Sequence, residues 1–196
     1  MKSTPAMLVL SSFLWVSLWG EAHGQDAKFL YDPADQMLAS TMLEGQDCYD
    51  PDVAADGDQL WITWLEFVPG QGDRLWVGHR RGDDWAVKEQ VEFQAAKLAR
   101  PTLTFDDAGQ LWLSYEAFQS DDQTWDVFIR RRTEDAKFGP PHRVSPGQGV
   151  DIEHRVSADP TGGLWLVWQT DADGQFDVVA RHVEQSDDLS MADLQV

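Results

Sequence analysis

The stretch Asp106-Asp107-Ala108-Gly109-Gln110-Leu111-Trp112-Leu113-Ser114-Tyr115 decides the fold, because the chain carries related copies on both sides of it. Upstream stands Asp56-Gly57-Asp58-Gln59-Leu60-Trp61-Ile62-Thr63-Trp64, and downstream Asp159-Pro160-Thr161-Gly162-Gly163-Leu164-Trp165-Leu166-Val167-Trp168. The Leu-Trp pairs lie 51 and then 53 residues apart. Each copy is a turn running into a strand. Asp bonds its own backbone there and Gly accepts positive φ. The Leu-Trp-x-x-aromatic run that follows suits pleated, half-buried positions. Trp61 and Trp64 are three apart, so on a strand they point to opposite faces, as do Trp112 with Tyr115 and Trp165 with Trp168. Large residues on both faces fit a sheet packed between two neighbouring sheets.

Other strands repeat around this core. Leu75 to Arg80, Trp125 to Arg130 and Phe176 to Arg181 align as a third strand, with Arg80, Arg130 and Arg181 in one column. Short segments precede the turns: Pro51 to Ala55, Pro101 to Phe105, His154 to Ala158. A fourth strand is read at Trp85 to Val91 and at Phe138 to Val144, where Gly139-Pro140-Pro141 confines it to an outer edge. A repeat near fifty residues made of four strands is a propeller blade. The reading is therefore all-β: a partial β-propeller of about three four-stranded antiparallel blades, preceded by an N-terminal signal helix. The blades fall at 48–98, 99–150 and 151–196, the last incomplete. Trp61, Trp112, Trp165 and the three arginines are its structural repeat positions.

The chain opens as a secretory signal over 1–24: Lys2, then the apolar run Met7 to Trp19, then Ala22-His23-Gly24 before a cut at Gln25. An uncleaved anchor is the competing reading, although the run is short for a bilayer. Residues 25–47 do not match the repeat and are a candidate closing strand for the third blade. A secreted or periplasmic protein follows, with no stable membrane insertion after cleavage. A net charge of −19, spread along the chain, argues against nucleic acid, whose phosphates need a basic footprint. Cys48 is the only cysteine, so no internal disulfide forms.

Propellers close with at least about four blades, and three fall short. A buried Trp is worth roughly 4–6 kcal/mol gross, so open apolar faces are costly. Three resolutions stand open: a fragment of a longer propeller, a homodimer completing a six-bladed ring, or an open sector with one face covered by the N-terminal segment.

The Asp…Gly-x-Leu-Trp turns and Asp-Val…Arg strands, over about residues 50–184, resemble the repeats of secreted bacterial propellers of the sialidase (BNR, Asp-box) and TolB/PD40 types. Ser157-Ala158-Asp159-Pro160-Thr161-Gly162-Gly163-Leu164-Trp165 is the stretch nearest an Asp-box, one residue longer and with Leu where Thr is expected. The resemblance implies a propeller and leaves the activity open, since propellers host many. An active sialidase adds an arginine triad and a Tyr/Glu nucleophile pair. Arg100, Arg143 and Arg155 are the arginines that could converge, but Tyr115 sits in a packing column shared with Trp64 and Trp168.

Innermost strands line a propeller's channel, so Arg100, His154 and Arg155 are read as a ligand-binding group at its mouth. Inter-blade ion pairs to Asp50 or Glu153 are the competing reading. Asp171, Asp173 and Asp177 around Gly174 form a weak calcium candidate without the EF-hand spacing, set against an ordinary hairpin turn. The histidines show no zinc spacing. Arg81-Gly82-Asp83 reads as a turn. No distinct catalytic constellation appears. The expected role is binding of a carbohydrate, peptide or protein partner. A sialidase-like glycoside hydrolase, or a degenerate piece of one, and a structural module of a cell-envelope assembly are the alternatives.

Overall fold

The structure is a computed structural model that describes residues 47–81, 84–92, 97–133, 135, 137–145 and 149–184. The signal segment, residues 25–46, the tail 185–196 and the Gly82-Asp83 pair lie outside the described residues.

Among the described residues eleven strands form three antiparallel sheets. The first contains β1 (Asp47–Asp56), β2 (Gln59–Val68), β3 (Gly72–Arg81) and β4 (Asp84–Val91) in that order. The second contains β5 (Leu98–Phe105), β6 (Leu111–Gln119), β7 (Thr124–Arg131) and β8 (His142–Arg143). The third contains β9 (Asp151–Ala158), β10 (Leu164–Thr170) and β11 (Asp177–Val183), with β10 in the middle. Sequential up-and-down pairing within each sheet, and the first strands β1, β5 and β9 set side by side, make this a partial β-propeller of three blades. Among the described residues no helix is long and apolar enough to cross a membrane.

The alternation seen in the sequence produces two cores. Trp61, Leu65, Leu75 and Val77 of blade 1 pack on Leu111, Leu113 and Tyr115 of blade 2. Trp112, Val127 and Ile129 of blade 2 pack on Leu164, Leu166 and Trp168 of blade 3. The middle strand of blade 2 thus sends Trp112 forward to blade 3, and Leu111, Leu113 and Tyr115 back to blade 1. The arginine column reinforces the same joints. Arg130 Nη2 donates to the Glu92 carbonyl at 2.6 Å, and Arg181 Nη1 donates to the Val144 carbonyl. In both cases a third-strand arginine grips the backbone that follows the preceding blade.

The turns are locked by their aspartates. Asp106 accepts the backbone N–H groups of Ala108 and Gln110 with one oxygen, and Trp112 Nε1 at 2.8 Å with the other. Asp159 repeats this with Thr161 N and Trp165 Nε1, each at 2.8 Å. In blade 1 the turn is shorter, and Trp61 is held by stacking: His79 lies 4.1 Å away and the Arg132 guanidinium 4.4 Å from its ring.

The fourth strand of blade 2, expected over Phe138 to Val144, shrinks to His142–Arg143 plus a bridge between Arg132 and Phe138. Pro140 and Pro141 have no N–H to offer the ladder.

Candidate functional site

The three inner strands share an irregularity near their starts. The ladder slips by one residue between Tyr49 and Asp52, between Ala99 and Thr102, and opposite Val167 and Gln169. Each slip is a one-residue β-bulge. At each, a residue other than glycine adopts positive φ: Asp50 (49°), Arg100 (50°) and Glu153 (59°). Such a backbone costs roughly 1–2 kcal/mol per residue, so its recurrence on three successive strands demands a compensation.

That compensation is a polar cluster at the axis. The Arg100 backbone N–H donates to Asp50 Oδ2 at 3.0 Å, and the Arg100 guanidinium pairs with Glu153. Beneath it, Glu116 Oε1 accepts both the His154 backbone N–H and its ring Nδ1, each at 3.0 Å. His154 Nε2 lies 3.0 Å from the Ser114 hydroxyl. An Nδ1–H donating to Glu116 leaves Nε2 to accept from Ser114. Arg100 Nε stands 3.9 Å from Glu116 and links the two layers. Ser114, Glu116 and His154 are buried, while Arg100 and Glu153 keep more than a third of their side-chain surface in water.

Aromatic rings stand at the same end of the blades. Tyr49 and Phe67 are partly exposed. Phe118 and Trp125 form an edge-to-face pair 5.7 Å apart, with the Lys97 ammonium 5.2 Å from the Phe118 ring. Burial and the neighbouring Asp73 carboxylate hold the Tyr49 hydroxyl protonated well above the usual tyrosine range.

The structure brings Arg100 and His154 together, through Glu116. Arg155 does not join them. Beyond the bulge the strand alternates normally, so His154 points inward and Arg155 outward, its guanidinium donating to the His154 carbonyl at 2.7 Å. Glu153 pairs with the Arg100 guanidinium, the contact of the ion-pair reading, whereas Asp50 accepts the Arg100 backbone N–H instead. Ser114 and Glu116 were not singled out in the sequence. Asp171 Oδ1 accepts the Val150 N–H at 2.5 Å and braces the link into blade 3, while Asp173 and Asp177 are exposed. Among the described residues no three His, Cys, Asp or Glu side chains are grouped to hold a metal ion.

A second polar cluster lies at the start of β9. Asp151 Oδ1 accepts Trp168 Nε1 at 2.9 Å, and the Thr170 and Ser145 hydroxyls are its other hydrogen-bonding neighbours. Asp126 pairs with Arg143 at 2.5 Å and keeps one unpartnered buried oxygen. Burial, with a smaller contribution from Asp126, raises the Asp151 carboxyl above its usual 3.8. A raised folded-state value means that ionisation opposes folding at neutral pH, and that this cost vanishes below the unfolded value. Asp151→Asn keeps an acceptor for Trp168. It is expected to stabilise the protein at pH 7 by about 1–3 kcal/mol, the scale of one relieved buried polar group. Urea titrations at several pH values should show the advantage closing as pH falls toward 3.8.

No protein-family model matches the chain. No curated protein matches it. Solved structures do. The endo-arabinase from Bacteroides thetaiotaomicron superposes with TM-score 0.55 at 14% identity, over 74% of this chain and 59% of that one. The α-L-arabinofuranosidase from Lactobacillus brevis gives 0.54 at 12%, over 73% and 52%. The xylan β-1,4-xylosidase from Bacillus halodurans gives 0.50 at 12%, over 73% and 29%. The chain thus spans between 29% and 59% of these proteins' lengths. At such identities the likeness is one of fold, and it fixes the fold as a propeller sector.

Proposed function

We propose that this chain is a carbohydrate-binding propeller module, with its site at the axial cluster of Asp50, Arg100 and Glu153. One observation carries the reading: three successive inner strands each hold a charged residue on a left-handed backbone at one point of the axis. Strain of this kind gathers at ligand sites. Carboxylates and a guanidinium are the hydrogen-bonding groups a polyol needs, and half-exposed rings offer faces on which sugar rings stack. The three proteins of similar fold are named for arabinose- or xylose-linked substrates, which directs the search to pentose polysaccharides. The Asp-to-Trp turn locks support reading the repeats as Asp-box-like. The opening segment, with Lys2 before the apolar run Met7 to Trp19, supports secretion.

Affinity electrophoresis in arabinan and xylan tests the proposal. The chain is expected to be retarded in at least one gel. Arg100→Ala, at a partly exposed position, should weaken retention at least tenfold with an unchanged circular dichroism spectrum. Unretarded migration of the folded chain in both, and in a wider glycan panel, would end it.

A hydrolytic reading is favoured by a separate observation. Glycosidases act through two carboxyl groups about 5–10 Å apart. Asp50 and Glu153 meet opposite ends of one arginine, its main chain and its guanidinium. A reducing-sugar assay on the same polysaccharides separates the two readings: release of sugar, lost in Glu153→Gln, would make the module an enzyme.

A further inference from the structure

The geometry points to the open face of blade 3 as a docking surface for blade 1 of a second copy of this chain, two such joints closing a six-bladed ring. The chain already builds this joint twice. In each, a forward face bearing Trp61 or Trp112 meets a back face, bearing Leu111, Leu113 and Tyr115 in one case and Leu164, Leu166 and Trp168 in the other. Trp61 is 6% exposed and Trp112 1%, whereas Trp165, at the same place on blade 3, is 45% exposed. Val167 and Val178 lie on the same side of the sheet, pairing through the register with Arg155 and Gln169. Val178 is 71% exposed, and Phe176 beside the strand is also open. No described residue of another blade covers this face.

The complementary half of the joint stands at the other end of the row. The back face of blade 1 carries the same apolar columns as the two back faces already filled. Leu60, Ile62 and Trp64 correspond to Leu164, Leu166 and Trp168, whereas Arg80 stands opposite Leu60, two residues from the column that Arg130 and Arg181 share opposite Leu113 and Leu166, so the single arginine column expected from the sequence does not extend to blade 1. Trp64 is already shielded there, and Val53 on the same face is 58% exposed. The open face of blade 3 and the back face of blade 1, where Leu60 and Ile62 are half-buried and Val53 is exposed, are therefore of opposite kind. Pairing two forward faces would set Trp165 against Trp165, a joint found nowhere in the fold. Two copies related by a twofold axis use one forward and one back face at each contact. Six blades fall within the range of closed propellers. A face of three strands of seven or eight residues measures about 23 Å by 14 Å. Two such joints bury roughly 1,300 Å², within the range of stable interfaces, about 1,200–2,000 Å².

Sedimentation velocity of the full-length chain over a dilution series tests this, independently of any ligand. A species of twice the chain mass is expected. Val178→Glu and Val53→Glu, both at exposed positions, should each shift it to monomer with the circular dichroism spectrum retained. Mixing the two variants should restore some dimer, because one intact joint remains between them. A monomer throughout overturns the inference. So does a dimer that either variant leaves intact, which would place the contact elsewhere. Species growing beyond the dimer would show joints that form without closing, and would overturn the ring.

Discussion

Trp112→Ala is expected to cost about 3–5 kcal/mol, the range for deleting a fully buried large aromatic. The indole is buried between blades 2 and 3, against Leu164, Leu166 and Trp168. Its Nε1 also donates to Asp106 at 2.8 Å, so the change strips a partner from the carboxylate that shapes the turn. Single domains hold about 5–15 kcal/mol in all. The variant should therefore unfold at much lower urea, or fail to fold at room temperature. Trp112→Phe separates the two contributions. It keeps most of the apolar volume and loses the N–H, and should cost about 1–2 kcal/mol. Trp165→Ala is the control. That residue has the same place in the repeat and the same Asp-to-Trp bond, yet nearly half its surface is exposed. Its loss should cost no more than about 1 kcal/mol in the monomer, the worth of one exposed hydrogen bond. Equal costs for Trp112→Ala and Trp165→Ala in urea titrations would mean that the joints are not where the fold's stability lies.

The different fates of Trp112 and Trp165 show what the sequence carries. Three-residue spacing of large side chains on a strand compels opposite faces, and that alone dictates sheets stacked face to face. The pairing of Tyr115 with one core and Trp112 with the other follows from it. Among the described residues blade 3 holds three strands, and the expectation that it lacks a fourth falls on residues 185–196, outside them. The bulges were not visible. Asp50 and Arg100 each precede a proline, where the backbone is held toward extended conformations, and neither is a residue type expected at positive φ as glycine is. Only the fold, by closing three strands around an axis, forces them there. Arg100 was legible as a cation opening an inner strand. Glu116 was not, because it stands in the middle of the apolar run Leu111 to Phe118, where periodicity announces core. Arg155 lies apart from His154 for a different reason: past the one-residue bulge at Glu153, neighbouring residues fall on opposite faces of the strand.

Glu116 shows how tightly that hidden layer is coupled to the visible one. Glu116→Leu is expected to destabilise the chain by about 3–5 kcal/mol, as breaking a buried polar pair by removing one partner does. Its Oε1 is the acceptor for both the backbone and the ring of His154, so the leucine leaves two donors buried without a partner. The His154 backbone N–H directly follows the bulge at Glu153, and its bond to Glu116 ties that bulge to blade 2. Glu116→Gln keeps a carbonyl oxygen for one of the donors and should cost about 1–2 kcal/mol. The decisive measurement is a double-mutant cycle with His154→Phe. If the two groups serve chiefly each other, Glu116→Leu with His154→Phe should be less destabilised than the sum of the single changes by about 1–3 kcal/mol. That coupling would arise because an apolar pair leaves fewer donors stranded than either half-pair. Strict additivity would show that Glu116 is held by Arg100 and the axis alone, and that His154 is an ordinary core side chain.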